Sequence, residues 1–244
     1  MLYYRFDSEY EPAIIGVRDG MSQAWVHAKG FADKNLYRRM DAFFSYAAYW
    51  HRERHTPRLS HEPPESFVIE YAKLRPKAKL TDFSRLAPYY MACPFMLSAR
   101  AQVVFAAHRI QRHFLLDTFI YDNKGSLVTD EYALFYCPLF DYDMIDFAKS
   151  RFRVNKSFPS SPDWEYHHFP NHAAYDVYDD AACGKLDVAS LVMSEKFDAT
   201  LDFFKCKIGG MYMSERLRAA VEKAELTGIY FPDKTQALAF ADVH

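Results

Sequence analysis

The chain reads as an α+β protein, a mixed or antiparallel sheet with several packed helices in a single compact chain. Three observations predict this. Stretches with a period of two alternate with stretches of helical period along all 244 residues. Half of the residues are hydrophobic and a quarter charged, the composition of a globular domain. The aromatic load is heavy, with 18 Tyr and 21 Phe, which supplies a large core and also rigid contact area for an interface.

Taken in order, residues 2–6 and then Gln23–Ala28 read as strands. Asp33 is placed to cap a helix over 34–51, since Leu36, Met40, Phe43, Phe44, Ala47 and Trp50 recur at helical spacing. Pro57, Pro63 and Pro64 impose a loop. Phe67–Tyr71 alternates as a strand, and 73–85 reads as a basic loop with Lys73, Arg75, Lys77, Lys79 and Arg85 against Asp82. Ser98 then caps a helix carrying Val103, Val104, Ala107 and Ile110. Leu115–Tyr121 and Tyr132–Leu139 read as strands around the turn signal Asp-Asn-Lys-Gly-Ser at 122–126. Residues 155–185, rich in Pro, His, Tyr and Asp, read as irregular, and short strands follow at Leu186–Met193 and Phe203–Ile208. Ser214 caps a last helix with Leu217, Val221 and Ala224 on one face; Gly228 ends it, and Ile229–Phe231 is extended. The organisation expected is an N-terminal segment of the domain at 1–80, a main region at 81–232, and a surface tail at 233–244.

The charge balance limits the function classes. Thirty Lys and Arg against 32 Asp and Glu give a net charge of -2, so no global attraction for nucleic acid or an anionic membrane is expected, although a local patch stays open. The start of the chain lacks a signal-peptide pattern and no apolar run is long enough to span a bilayer, so a cytoplasmic location is expected. Cys93, Cys137, Cys183 and Cys206 form no C-x-x-C pair and are read as reduced thiols.

Motifs for chemistry are sparse. There is no phosphate-cradling glycine loop, no G-x-S-x-G elbow and no S-x-x-K. His51 and His55 are spaced for one helix face, but the run His-Arg-Glu-Arg-His misplaces the acid that a metalloenzyme needs, and solvated histidines account for it. His167, His168 and His172 near Asp163 and Asp176 form the better metal candidate and support the alternative of a metal-dependent hydrolase; idle loop histidines are the plainer account. Asp141 and Asp143 share one face of a strand, as a carboxylate pair for acid–base work or as a solvated edge. A nucleic-acid role for 73–85 with Arg100, Arg109 and Arg112 is opposed by the net charge. No catalytic residue, cofactor or metal ligand is assigned.

The acidic stretch 117–146 is the strongest charge signal. Asp117, Asp122, Asp130, Glu131, Asp141, Asp143 and Asp146 face a single base, Lys124, and aromatic residues including Tyr142 interleave. Such a face suits capture of a basic protein surface, aromatics anchoring and charges speeding encounter. The alternative is that the rings point inward and the acids only solubilise.

Two segments look alike: Phe95-Met96-Leu97-Ser98-Ala99-Arg100 and Met211-Tyr212-Met213-Ser214-Glu215-Arg216, each a short apolar run, Ser-x-Arg, and a helix. A duplication or the shared need for a capping serine explains the likeness. With Thr81-Asp82-Phe83 before the first, Asp146-Phe147-Ala148-Lys149-Ser150 between them, and Phe204 and Leu226-Thr227-Gly228-Ile229-Tyr230-Phe231 around the second, the order of segments resembles the immunity protein 11 type family over roughly residues 80–231. Ala99 departs from the Ser-Glu-Arg that the second copy keeps. The resemblance implies a cytoplasmic protein that neutralises a cognate bacterial toxin domain by binding it rather than by turnover. It implies structural roles for Ser98, Arg100, Asp146, Ser150, Ser214, Arg216 and Gly228: helix caps, a local hydrogen bond from Ser150 and a left-handed turn at Gly228.

Overall fold

In the computed structural model, the described residues are 2–44, 62–89, 93–138, 142–156, 163–181, 186–206, 208, 210–232 and 239–240. The chain is α+β. In order come β1 (Tyr3–Ser8), α1 (Pro12–Ile15), β2 (Ala24–Val26), α2 (Lys34–Phe44), β3 (Ile69–Leu74), β4 (Phe83–Ser84), β5 (Leu86–Ala87), β6 (Phe95–Leu97), α3 (Ala99–Ala106), β7 (Phe114–Tyr121) and β8 (Leu127–Tyr136). They are followed by β9 (Arg151–Asn155), β10 (Trp164–His167), α4 (His172–Ala181), β11 (Leu186–Ser190), β12 (Val192–Met193), β13 (Phe203–Cys206), β14 (Gly210–Ser214), α5 (Glu215–Lys223), β15 (Ile229–Tyr230) and β16 (Ala239–Phe240).

The largest sheet runs β4-β6-β8-β7-β3-β2-β5, parallel at β2–β5 and β3–β7 and antiparallel elsewhere. Its two end strands are consecutive in the chain, separated only by Arg85, whose carbonyl accepts from the amides of Gln23 and Ala24. The sheet therefore closes on itself, which removes the open edges that invite aggregation. Its inner face is apolar at Ala24, Ala72, Leu86, Met96, Leu116, Ile120 and Leu134, and α2 lays Leu36, Met40 and Phe44 against them.

A second, antiparallel sheet runs β13-β14-β1-β15. Strand alternation gives it two buried faces. Phe6, Phe203 and Met213 meet Phe83, Phe95, Leu97 and Phe135 on the outside of the closed sheet, together with Phe105 of α3 and Leu217 and Val221 of α5. Tyr3, Phe204 and Tyr212 face the other way, in one core with Phe152 of the three-stranded sheet β10-β9-β11, Tyr175 of α4 and Phe169 of the connection between β10 and α4. Some ring pairs pack edge-on or tilted, as at Phe135–Phe203 (5.3 Å) and Phe152–Tyr175 (5.0 Å), and others stack, as at Phe6–Phe95 and Phe204–Tyr212.

Several expectations are corrected. Residues 73–85 are not all loop: Lys73 and Leu74 end β3, and 83–84 form β4. Residues 155–185 are not irregular throughout, because β10 and α4 lie within them. The strand expected from Tyr132 starts earlier, at Leu127. Within the expected tail, 239–240 pair in parallel with Val192–Met193. Of the helix expected over 34–51, the described part is Lys34–Phe44; residues 45–51 lie outside the described residues, as does the end of the strand at Leu139. No helix of the described residues is long and apolar enough to cross a membrane.

Candidate interaction surface

The predicted acidic face divides in two. Asp117, Asp122, Asp130 and Glu131 all sit on the hairpin β7–β8. Asp117 faces outward on β7, opposite Ala133, while its neighbours Leu116 and Thr118 are buried. Asp130 and Glu131 are exposed on β8. Asp122 shapes the turn: its Oδ1 accepts the amides of Lys124 (2.7 Å) and Ser126 (2.9 Å), and those bonds, led by Ser126, hold its carboxyl below the usual range. Gly125, at φ 85°, permits that turn. Around the acids, Leu115, Leu127 and Val128 are exposed apolar side chains. Among the described residues none of the four acids makes an ion pair with a base.

Asp143 does not join them. It lies in the short 3-10 turn Tyr142–Met144, which leads to Ile145 in the second sheet's outer core, and its Oδ2 pairs with the Lys196 ammonium at 2.7 Å. Asp141 and the Tyr142 side chain lie outside the described residues. Asp146 does local work: its carboxylate accepts the Lys149 amide at 3.1 Å and pairs with the Lys149 ammonium at 3.2 Å, its carbonyl accepts from the Ser150 hydroxyl at 2.7 Å, and that hydroxyl accepts from the Val192 amide at 2.9 Å.

The residues of the two look-alike segments form a reciprocal pair. The register Phe83↔Leu97 sets Asp82 opposite Ser98; the register Phe203↔Met213 sets Asp202 opposite Ser214. Each serine hydroxyl donates to the aspartate at 2.6 Å and accepts from the third amide of its helix, Ala101 at 3.2 Å or Leu217 at 3.1 Å. The second carboxylate oxygen then takes an amide of the chain leaving the other helix. Asp82 accepts from Thr227, beyond α5 (3.0 Å), and Asp202 accepts from Arg109, beyond α3 (2.9 Å). Arg216 closes its copy with Nε and Nη2 both 2.9 Å from Asp202. Arg100 departs from this: it stays 3.7 Å from Asp82 and gives Nη2 to the Ala224 carbonyl at the end of α5. Burial alone would push the Asp202 carboxyl up; the Arg216 guanidinium, the Ser214 hydroxyl and the Arg109 amide outweigh it and hold the pKa below the usual range.

Gly228 does not make the left-handed turn at the helix end, which falls on Glu225 at φ 50°. Gly228, at φ 100°, lets the chain lie against β4; a Cβ there would stand 2.4 Å from the Phe83 carbonyl and from Thr81 Oγ1. Asp202 drew no notice in the sequence, although an Asp-Phe pair precedes each Ser-x-Arg segment and was the available signal.

The histidines are spread rather than gathered. His167 Nε2 lies 3.0 Å from the Tyr178 hydroxyl, and His172 Nε2 lies 2.9 Å from Asp176 Oδ2 one turn along α4. His51 and His55 lie outside the described residues. Among the described residues no three His, Cys, Asp or Glu side chains group as metal ligands. Cys93, Cys137 and Cys206 are free and buried, and burial pushes the Cys137 and Cys206 thiols up to about 12, so they stay protonated at neutral pH.

Compared with known proteins, the chain matches no family model and no curated protein. The resemblance to toxin-neutralising proteins therefore rests on the residues quoted for it.

Proposed function

We propose that this protein works by binding, and that its ligand is a cognate bacterial toxin domain, which it neutralises through the β7–β8 hairpin. The observation that carries the reading is the set of four carboxylates, Asp117, Asp130 and Glu131 exposed and Asp122 half-buried at the turn, with no ion pair to a base among the described residues and with exposed Leu115, Leu127 and Val128 on the same hairpin. Acids around apolar contact area accelerate encounter with a basic surface and then hold it.

The test is co-expression with the variable C-terminal domain of a large secreted protein encoded beside this chain. A one-to-one complex and survival of the toxin-expressing cells are expected. Replacing Asp117 and Asp130 by Asn and Glu131 by Gln should slow association by about tenfold at low salt and leave the fold intact. No complex and no protection would sink the proposal.

A further inference from the structure

Away from the acidic hairpin, and independent of the proposal built on it, the sheet β10-β9-β11 carries alternating cations and rings. The register Tyr166↔Arg153 and Trp164↔Asn155 puts Arg151, Arg153, Trp164 and Tyr166 on one face, while the pair Phe152↔His167 points the other way, with Phe152 in the core. The Arg151 guanidinium carbon stands 3.8 Å from the Tyr166 ring centroid, and that of Arg153 stands 4.2 Å from the Trp164 ring. Asp187 of β11 orients Arg153, accepting Nε at 3.0 Å and Nη2 at 2.7 Å, and Arg5 of β1 lies 3.8 Å from the same carboxylate. Arg151 is exposed and makes no ion pair among the described residues, and Tyr166 is 46% exposed.

We propose that this face is a stacking platform for single-stranded nucleic acid, about two nucleotides wide. A guanidinium held over a ring offers a cationic surface for a base, and the N–H edge of Arg151, which no acid of the described residues pairs, suits a phosphate. Positions two apart on a strand are about 6.6–6.8 Å apart, roughly twice the 3.4 Å per-strand step of a duplex, which matches a stretched, unstacked strand. Among the described residues on this face, Arg151 and Arg153 outnumber Asp187, so it carries a positive surplus on a chain whose net charge is -2. An acidic protein segment would satisfy the guanidinium groups but leave the planar surfaces unused, so the geometry favours the nucleic acid.

The experiment is a fluorescence-anisotropy titration of a labelled oligothymidylate of about twelve nucleotides, within the site sizes of single-strand-binding modules, with the full chain at low salt. Saturable binding is expected, with a log–log salt slope of about -0.7 from one phosphate contact, at Arg151, since Asp187 holds the Nε–Nη2 edge of Arg153. Arg151→Glu should weaken it by about tenfold, Tyr166→Ala should weaken it clearly, and Tyr166→Phe should keep it, because the ring and not the hydroxyl stacks. No binding, or binding that ignores both Arg151→Glu and Tyr166→Ala, overturns the proposal. So does binding of poly-glutamate in place of the oligonucleotide, which would assign the face to an acidic protein segment. None of these results bears on toxin neutralisation through the hairpin.

Discussion

The Asp202 carboxylate accepts from the Ser214 hydroxyl, two nitrogens of Arg216 and the Arg109 amide while almost wholly buried. Its pKa is held below the unfolded value, so the unfolded chain takes up the proton more readily. The sign follows: this contribution to stability is fully present above the ordinary carboxylate range near pH 4, and is lost as pH falls through the lowered folded value. Asp202→Asn, which keeps the shape but not the charge, should cost about 2–3 kcal/mol at pH 7, in line with about 1–3 kcal/mol for each buried group left poorly matched. Urea denaturation across pH should show the gap between the two proteins narrowing below pH 4; a constant gap would contradict the assignment. Ser214 and Arg216 were legible because Ser-x-Arg before an amphipathic helix is a local pattern. Asp202 was not, because its partners come from two distant stretches, Arg109 beyond α3 and Ser214–Arg216 at the start of α5, and only the fold gathers them.

Both capping serines begin helices that the sequence placed correctly, since cap and apolar period lie within a few residues of each other. Their environments differ. Ser214 is fully buried and its aspartate is also clamped by Arg216, whereas Ser98 is half-buried and Arg100 is spent on the end of α5. Ser214→Ala is expected to cost about 2–3 kcal/mol and Ser98→Ala about 1–2 kcal/mol, cap loss alone accounting for about 1 kcal/mol. Chemical denaturation of the two variants checks the order, and equal costs would deny the difference between the copies. Among the elements that escaped the sequence, β10 and α4 have identifiable causes. Trp164-Glu-Tyr-His alternates, but its outward side carries rings rather than plainly polar residues. Helix α4 buries Tyr175 and exposes Val177, which blurs its apolar stripe. Its cap was visible as Asn171, whose Oδ1 accepts the Ala174 amide at 3.0 Å.

At the scale of the molecule, the first 80 residues are not an appendage to the remainder. Strand β1 lies between β14 and β15, and β2 and β3 fill the gap between β5 and β7 that closes the large sheet. No local pattern announces these pairings, because Tyr3 meets Ser214 and Asp7 meets Tyr230 across more than two hundred residues of chain. Element type was legible from period and caps; strand order was not, since it is decided by which apolar faces bury one another. A fragment of residues 81–232 would leave β14 and β15 without the strand between them and would open the closed sheet at β5 and β7. It would also expose Phe83, Phe95, Phe203 and Met213 where Phe6 now packs. The fragment is expected to lose cooperative unfolding and to bind a hydrophobic dye, the behaviour of a chain that keeps secondary structure without fixed packing. A steep urea transition for the fragment, with the near-ultraviolet circular dichroism of the whole chain, would show that residues 1–80 are dispensable and that the closed sheet is not what holds the two ends of the protein together.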